Sequence, residues 1–327
     1  MNSDKNDPFA YRSQGGRLEI GSGEGDHVSS MIKVDDRLMC ITKNNIMEIL
    51  IADNIDPERT NPEMNHIVQN ILPYGSDNEF VGRIFQQADI LFKKNSLKKE
   101  ISCNKGINTS LSFLKEITSL DNLRKNYVKE EDEINSSIEK EPHAPNLPNL
   151  EQKVKGFILN TNHACGLIME MSNIFFSDVK GRGWESKLIT KLSPEDQKDF
   201  IKFIKSFKVH TIGLRRMRNK VEHPHSELKD DLFNITNYIL NPDNTISPPT
   251  ITYRGTEFNL SKTKVSMFME STIINLVDMF ESLMVYLCSL HAKSFAGDER
   301  VVVSVQKDKR RGSEKHIGFQ YKIIWTK

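Results

Sequence analysis

Apolar residues recur in steps of three and four along five stretches of the chain, and that spacing predicts helices. Phe80, Val81, Ile84, Phe85, Ala88, Leu91 and Phe92 form one stripe behind an Asp77 or Asn78 cap. A second helix is expected from about Ser110 to Ile138, opening with Leu111, Leu114, Ile117 and Leu120. From Leu150 onward, Val154, Phe157, Ile158, Cys165, Ile168 and Met169 share one stripe of a long amphipathic helix. The fourth helix has a start signal: Ser193 as cap, Pro194 at the first helical position and two acids in the first turn. Its seam runs Phe200, Phe203, Phe207, His210, Leu214, Met217 and Val221. Gly213 interrupts that helix at a cost of about 1 kcal/mol relative to alanine, so a bend or a close contact is expected there. Residues 262–295 carry the most persistent helical pattern, with an apolar surface wide enough for a central bundle helix.

Shorter runs read as strands. Residues 30–52 suit a strand, a turn and a second strand or short helix, with a hairpin preferred. Residues 54–66 are a loop by their two prolines, and a small hairpin is expected around residues 251–258. At the end, residues 301–306 and 317–325 read as two strands flanking a basic loop. That loop is read as a soluble hairpin tip that guards strand edges. The segment EKEPHAPNLPN, with three prolines and no periodicity, is the candidate linker. The expected organisation is a flexible arm (1–30), a small α+β domain of unknown role (31–138), a linker (139–149), a helical bundle (150–296) and a β-hairpin extension (297–327). The fold class is mostly α, α+β overall.

Composition narrows the function classes. The amino end is polar and Gly/Ser-rich without an apolar core segment, so it is not read as a secretory signal. No run of 18 uninterrupted apolar residues occurs, and no membrane association is expected. Four cysteines without a CxxC pair suggest neither a zinc site nor a disulfide framework, which fits a reducing cytoplasm. The net charge of +1 says nothing for or against nucleic acid, so any basic footprint must be local.

One is found near the end of the fourth helix, where residues 213–226 read GLRRMRNKVEHPHS. Arg218, Asn219 and His223 supply what phosphodiester cleavage without a metal requires. A guanidinium holds a phosphate through two hydrogen bonds and opposes charge growing on its oxygens. An imidazole takes a proton from a 2′-hydroxyl, or gives one to a leaving oxygen, near neutral pH. Five residues on a helix amount to roughly 140° of rotation, so Arg218 and His223 do not share a face. Pro224 answers this by pushing His223 out of the α region and ending the helix there. The same residues also fit an ordinary helix terminus, with basic side chains near the carboxyl end and His-Pro as a stop.

At these residues the sequence resembles the HEPN superfamily, helical-bundle domains that include many metal-independent ribonucleases. The resemblance rests on R-N-K-V-E-H, with Arg218 as the arginine, Asn219 as its polar follower and His223 as the histidine, and it covers residues 150–296. It implies that two protomers bring these motifs together at a homodimer interface, forming one composite RNA cleft. It further implies catalytic roles for Arg218, Asn219 and His223, and products with 2′,3′-cyclic phosphate and 5′-hydroxyl ends. A toxin or antiphage setting follows by analogy, with an antitoxin or regulatory partner as a candidate. The alternative is a non-catalytic HEPN module for dimerisation or for nucleotide or partner binding.

Around the motif, Arg215, Arg216, Lys220 and His225 are candidate RNA contacts. Lys198, Lys202, Lys205 and Lys208 recur at helical spacing, either as a solvated face or as a guide for a phosphate backbone. His223 and His225 suggest a metal pair, yet no carboxylate or cysteine stands at a completing spacing. No metal or other cofactor is expected. His210 is read as a hydrogen-bonded core histidine, His163 as core or helix surface, and Trp184 as a packed loop anchor.

Overall fold

The computed structural model describes residues 27–61, 64, 66–138, 145–194, 197–223, 231–293, 299–307 and 317–325 of the chain. Most of the expected arm, the tip of the terminal hairpin, and Pro224 with His225 lie outside these residues. Helix outweighs strand, and the described sheets are small and antiparallel.

The amino-terminal sheet is a four-stranded meander, β1 (Ser30–Val34), β2 (Arg37–Ile41), β3 (Ile46–Leu50) and β4 (Ile67–Leu72), in that order. It extends the expected hairpin by two strands. Alternation explains β1: Ile32 and Val34 are buried, while Met31 and Lys33 face outward. Asp35 adopts φ 54° in the two-residue turn to β2, a conformation that aspartate tolerates. A single helical turn, α1 (Ala52–Ile55), opens the loop before β4.

The stripe beginning at Phe80 forms a π-helical segment (Val81–Gln86) that continues into α2 (Gln87–Leu91). The second expected helix, α3, starts earlier than its apolar stripe suggests and spans Cys103–Ile138. Next come α4 (Leu150–Phe175), the short α5 (Trp184–Lys191) and α6 (Lys198–Glu222). The start of α6 corrects the sequence reading: Gln197, not Ser193, is the N-cap, and it makes no side-chain cap bond. Ser193 instead offers its carbonyl to the Gln197 N–H at 3.1 Å. A three-stranded sheet follows in the order β5 (Leu232–Thr236), β8 (Thr250–Arg254) and β9 (Asn259–Lys264). The small β6–β7 pair (Ile239–Leu240 with Ile246–Ser247) lies between β5 and β8 in the chain.

Helix α7 (Val265–Leu290) is the central element expected from its pattern, packing on α3 and α4. The Phe113 and Phe280 rings stack face to face at 4.0 Å between α3 and α7. By length and composition α7 alone among the described residues would suffice to cross a membrane, yet half of its most apolar window is buried within the protein.

The expected domain boundary falls between α3 and α4, and these two helices pack directly together within one continuous core. Within the segment read as a linker, Leu147 is buried. Its backbone N–H donates to Asn237 Oδ1, and its carbonyl accepts from Asn237 Nδ2, each at 3.0 Å. The terminal hairpin, β10 (Glu299–Lys307) with β11 (Ile317–Trp325), docks on α2. There the buried Gln87 side chain donates to the Phe319 carbonyl and accepts from its N–H, satisfying one residue of the strand edge.

Candidate functional site

Helical rotation decides which side chains of α6 meet. Lys208, Ile212, Arg215, Asn219 and His223 follow one another in steps of four, three, four and four, and therefore share one face. With Arg216 they line a cleft of about 600 Å³. The opposite wall comes from Arg182, Gly183 and Glu185 at the start of α5, and Glu257 closes the edge from the β8–β9 turn. Gly183 takes φ 73° as the N-cap of α5, a left-handed conformation that glycine adopts without strain. Trp184 next to it is buried with its ring 6.5 Å from that of Phe207, which is the anchoring role expected for it.

His223 is the C-cap of α6, at φ −131° and ψ 71°, and its N–H still donates to the Asn219 carbonyl at 2.8 Å. The helix thus stops where proline was expected to stop it, leaving the imidazole exposed at the cleft mouth. Arg218 is placed differently. It lies outside the cleft lining and pairs along the helix with Glu222 at 2.6 Å. Of the three motif residues, the fold brings Asn219 and His223 together on the cleft and turns Arg218 to a neighbouring face. Arg215 and Arg216 join the cleft, while Lys220 is half-buried and outside its lining.

The two cleft arginines are held by carboxylates distant in sequence. Arg215 lies 3.5 Å from Glu185, which is 1% exposed and accepts a 2.7 Å hydrogen bond from the Thr211 hydroxyl. Arg216 reaches Glu257 at 2.7 Å and the buried Asp231 at 3.1 Å. These bonds, that to Glu257 foremost, raise the Arg216 pKa and keep it charged. The Tyr253 hydroxyl donates to Asp231 as well, and burial followed by this carboxylate pushes the Tyr253 phenol up. Phe258 explains Gly213: a Cβ there would meet its ring at 2.6 Å, so the glycine marks the close contact anticipated from the sequence.

Burial pushes the Cys165 thiol up to about 12, which disfavours a thiolate nucleophile beside Arg215. His210 departs from the reading of a hydrogen-bonded core histidine: its Nε2 is buried with no hydrogen-bond partner among the described residues, and burial lowers its pKa. His163 is exposed on the helix surface, 3.9 Å from Glu116. Among the described residues no three His, Cys, Asp or Glu side chains converge as metal ligands.

Sequence reasoning missed Glu185, Asp231 and Glu257, and left Arg182 unassigned. The only local hint for Glu185 is its place beside the Gly-bracketed Trp184. Nothing near Asp231 or Glu257 in the chain marks either as an arginine partner. Comparison with protein-family models finds no match to this chain, and comparisons with curated proteins and with solved structures find none either.

Proposed function

We propose that the chain is a metal-independent RNA endonuclease of HEPN type, acting as a homodimer. The observation that supports this most is the cleft at the end of α6, where Asn219 and His223 stand beside Arg215 and Arg216. In this reading the substrate's 2′-hydroxyl oxygen attacks the adjacent phosphorus as the bond to the 5′-oxygen breaks. Imidazoles act as general base for the 2′-proton and general acid for the leaving 5′-oxygen. The products are a 2′,3′-cyclic phosphate and a 5′-hydroxyl, with atoms and charge balanced and no metal required. Asn219 orients the substrate or the motif. Arg218, on the face beside the cleft, serves a cleft shared with a second copy and opposes charge on the phosphorane-like transition state. A cytoplasmic toxin or antiphage role, restrained by an antitoxin or regulatory partner, belongs to the same reading.

A second reading, a non-catalytic module for dimerisation or for nucleotide or partner binding, draws on a specific observation. Arg215, Arg216 and Arg218 are each ion-paired within the chain. One experiment separates the two readings. Wild-type protein and His223→Ala, matched for folding and oligomeric state, are incubated with labelled single-stranded RNA in EDTA. Cleavage by wild type alone, with cyclic-phosphate ends, is expected. Intact RNA from well-folded wild-type dimers supports the second reading, and equal cleavage by both proteins removes His223 from the mechanism.

A further inference from the structure

Resting on the reading of this cleft as an RNA site, we propose that Arg182, Lys205 and Lys208 form a phosphate track. The track leads a single RNA strand along α6 to His223. The charge is concentrated locally: residues 180–220 carry twelve Lys and Arg against four Asp and Glu, in a chain whose formal net charge is +1. Within the cleft the cations are not equivalent. Glu185 opposes Arg215, and Asp231 with Glu257 opposes Arg216, so these two guanidinium groups are already hydrogen-bonded or ion-paired before any substrate arrives. Arg182 and Lys208 line the same cleft with no carboxylate at ion-pair distance among the described residues. Among the described residues Lys208 Nζ donates to the Ser186 hydroxyl alone, at 3.0 Å, which aims it at the α5 side of the cleft.

Helix geometry extends the line. Lys205 stands eighteen residues before His223, which is five full turns, so the two project from the same side of α6 about 27 Å apart. Lys205 is exposed. Lys205 and Lys208 on α6, with Arg182 across the cleft, have no carboxylate at ion-pair distance among the described residues, and a line of such cations ending at an imidazole matches a chain of phosphates running to a reactive one. Single-stranded RNA is the fitting ligand because in-line attack by a 2′-hydroxyl needs a sugar–phosphate backbone free to leave A-form geometry. Bases of RNA also become accessible chiefly where the strand is unpaired.

The test uses full-length protein and a fluorescent 2′-O-methyl oligonucleotide of roughly 12 nucleotides, which lacks the nucleophile and cannot be cleaved. Affinity is measured from about 50 to about 200 mM salt for three proteins. These are wild type, the triple variant Arg182→Gln/Lys205→Gln/Lys208→Gln, and a control triple of equal charge change, Lys98→Gln/Lys99→Gln/Lys105→Gln. Each lost phosphate contact to a single strand lowers the log–log salt slope by about 0.7, so the track variant should lose roughly 2 from its slope. The control should keep the wild-type slope. An unchanged slope in the track variant, an equal change in the control, or a wild type that does not bind the oligonucleotide would each overturn the proposal. Cleavage of ordinary RNA in EDTA is scored separately. A lowered slope with no wild-type cleavage keeps the track and rejects the nuclease; cleavage with an unchanged slope does the reverse.

Discussion

Replacing Arg216 by methionine tests how firmly α6 is tied to Asp231. Asp231 is 4% exposed and bounds the stretch that follows the motif. Its carboxylate accepts from Arg216 and from the Tyr253 hydroxyl. Methionine keeps much of the side-chain volume and removes the charge, leaving a buried carboxylate with one neutral donor. Breaking a buried pair in this way costs about 3–5 kcal/mol. The Tyr253 bond is present before and after the substitution, so it cancels in the difference and only keeps the remaining carboxylate from being wholly without a donor. The second partner, Glu257, has a side chain 57% exposed, and an exposed pair adds about 0–1 kcal/mol. The expected net loss is about 3–5 kcal/mol, read from urea denaturation midpoints at constant m-value. Asp231→Asn added to Arg216→Met should recover about 1–2 kcal/mol, because the uncompensated charge is gone, giving a coupling energy of opposite sign to the single effects. A loss below about 0.5 kcal/mol for the single variant, or strict additivity in the double, would refute this account.

Three further outcomes are expected. Gly213→Ala gains about 1 kcal/mol of helix propensity but drives a methyl group into the Phe258 ring, an overpacking cost of about 1–3 kcal/mol. It should therefore destabilise wild type yet stabilise the Phe258→Ala background, as thermal melts of the four proteins would show. Phe113→Ala removes a ring stacked on Phe280 in the core and should cost about 3–5 kcal/mol in chemical denaturation; a cost under about 1 kcal/mol would contradict that packing. Burial lowers the His210 pKa in the folded state, so the unfolded chain takes up the proton first. Stability is then retained above the unfolded pKa of about 6.5 and lost as pH falls below it toward the folded value. His210→Phe should lose less stability than wild type between about pH 7.5 and about pH 5.5, with His291, also lowered by burial, contributing equally in both proteins.

Periodicity along the chain was enough to place α3, α4, α6 and α7, because a long helix with a buried face must repeat its apolar residues every three or four positions. The close contact at Gly213 and the buried Trp184 were legible for similar reasons, as each answers a local steric or solvation demand. The start of α6 was not, since Ser193 and Pro194 carry a capping signal but the helix takes Gln197 as its N-cap. β4 was also hidden, because its burial is mostly partial and its pairing depends on β3. At the candidate site the sequence alone determined that Arg218 and His223, five residues apart, do not share a helix face, and that the helix ends before Pro224. Only the tertiary structure decided that Arg216 joins Arg215 in the cleft and that both arginines stand under the hold of Glu185, Asp231 and Glu257, while Arg218 turns to Glu222. Side chains one turn apart are neighbours by local geometry. The carboxylates that hold the cleft arginines come from α5, from Asp231 just before β5 and from the β8–β9 turn, and their approach depends on packing that no local pattern encodes.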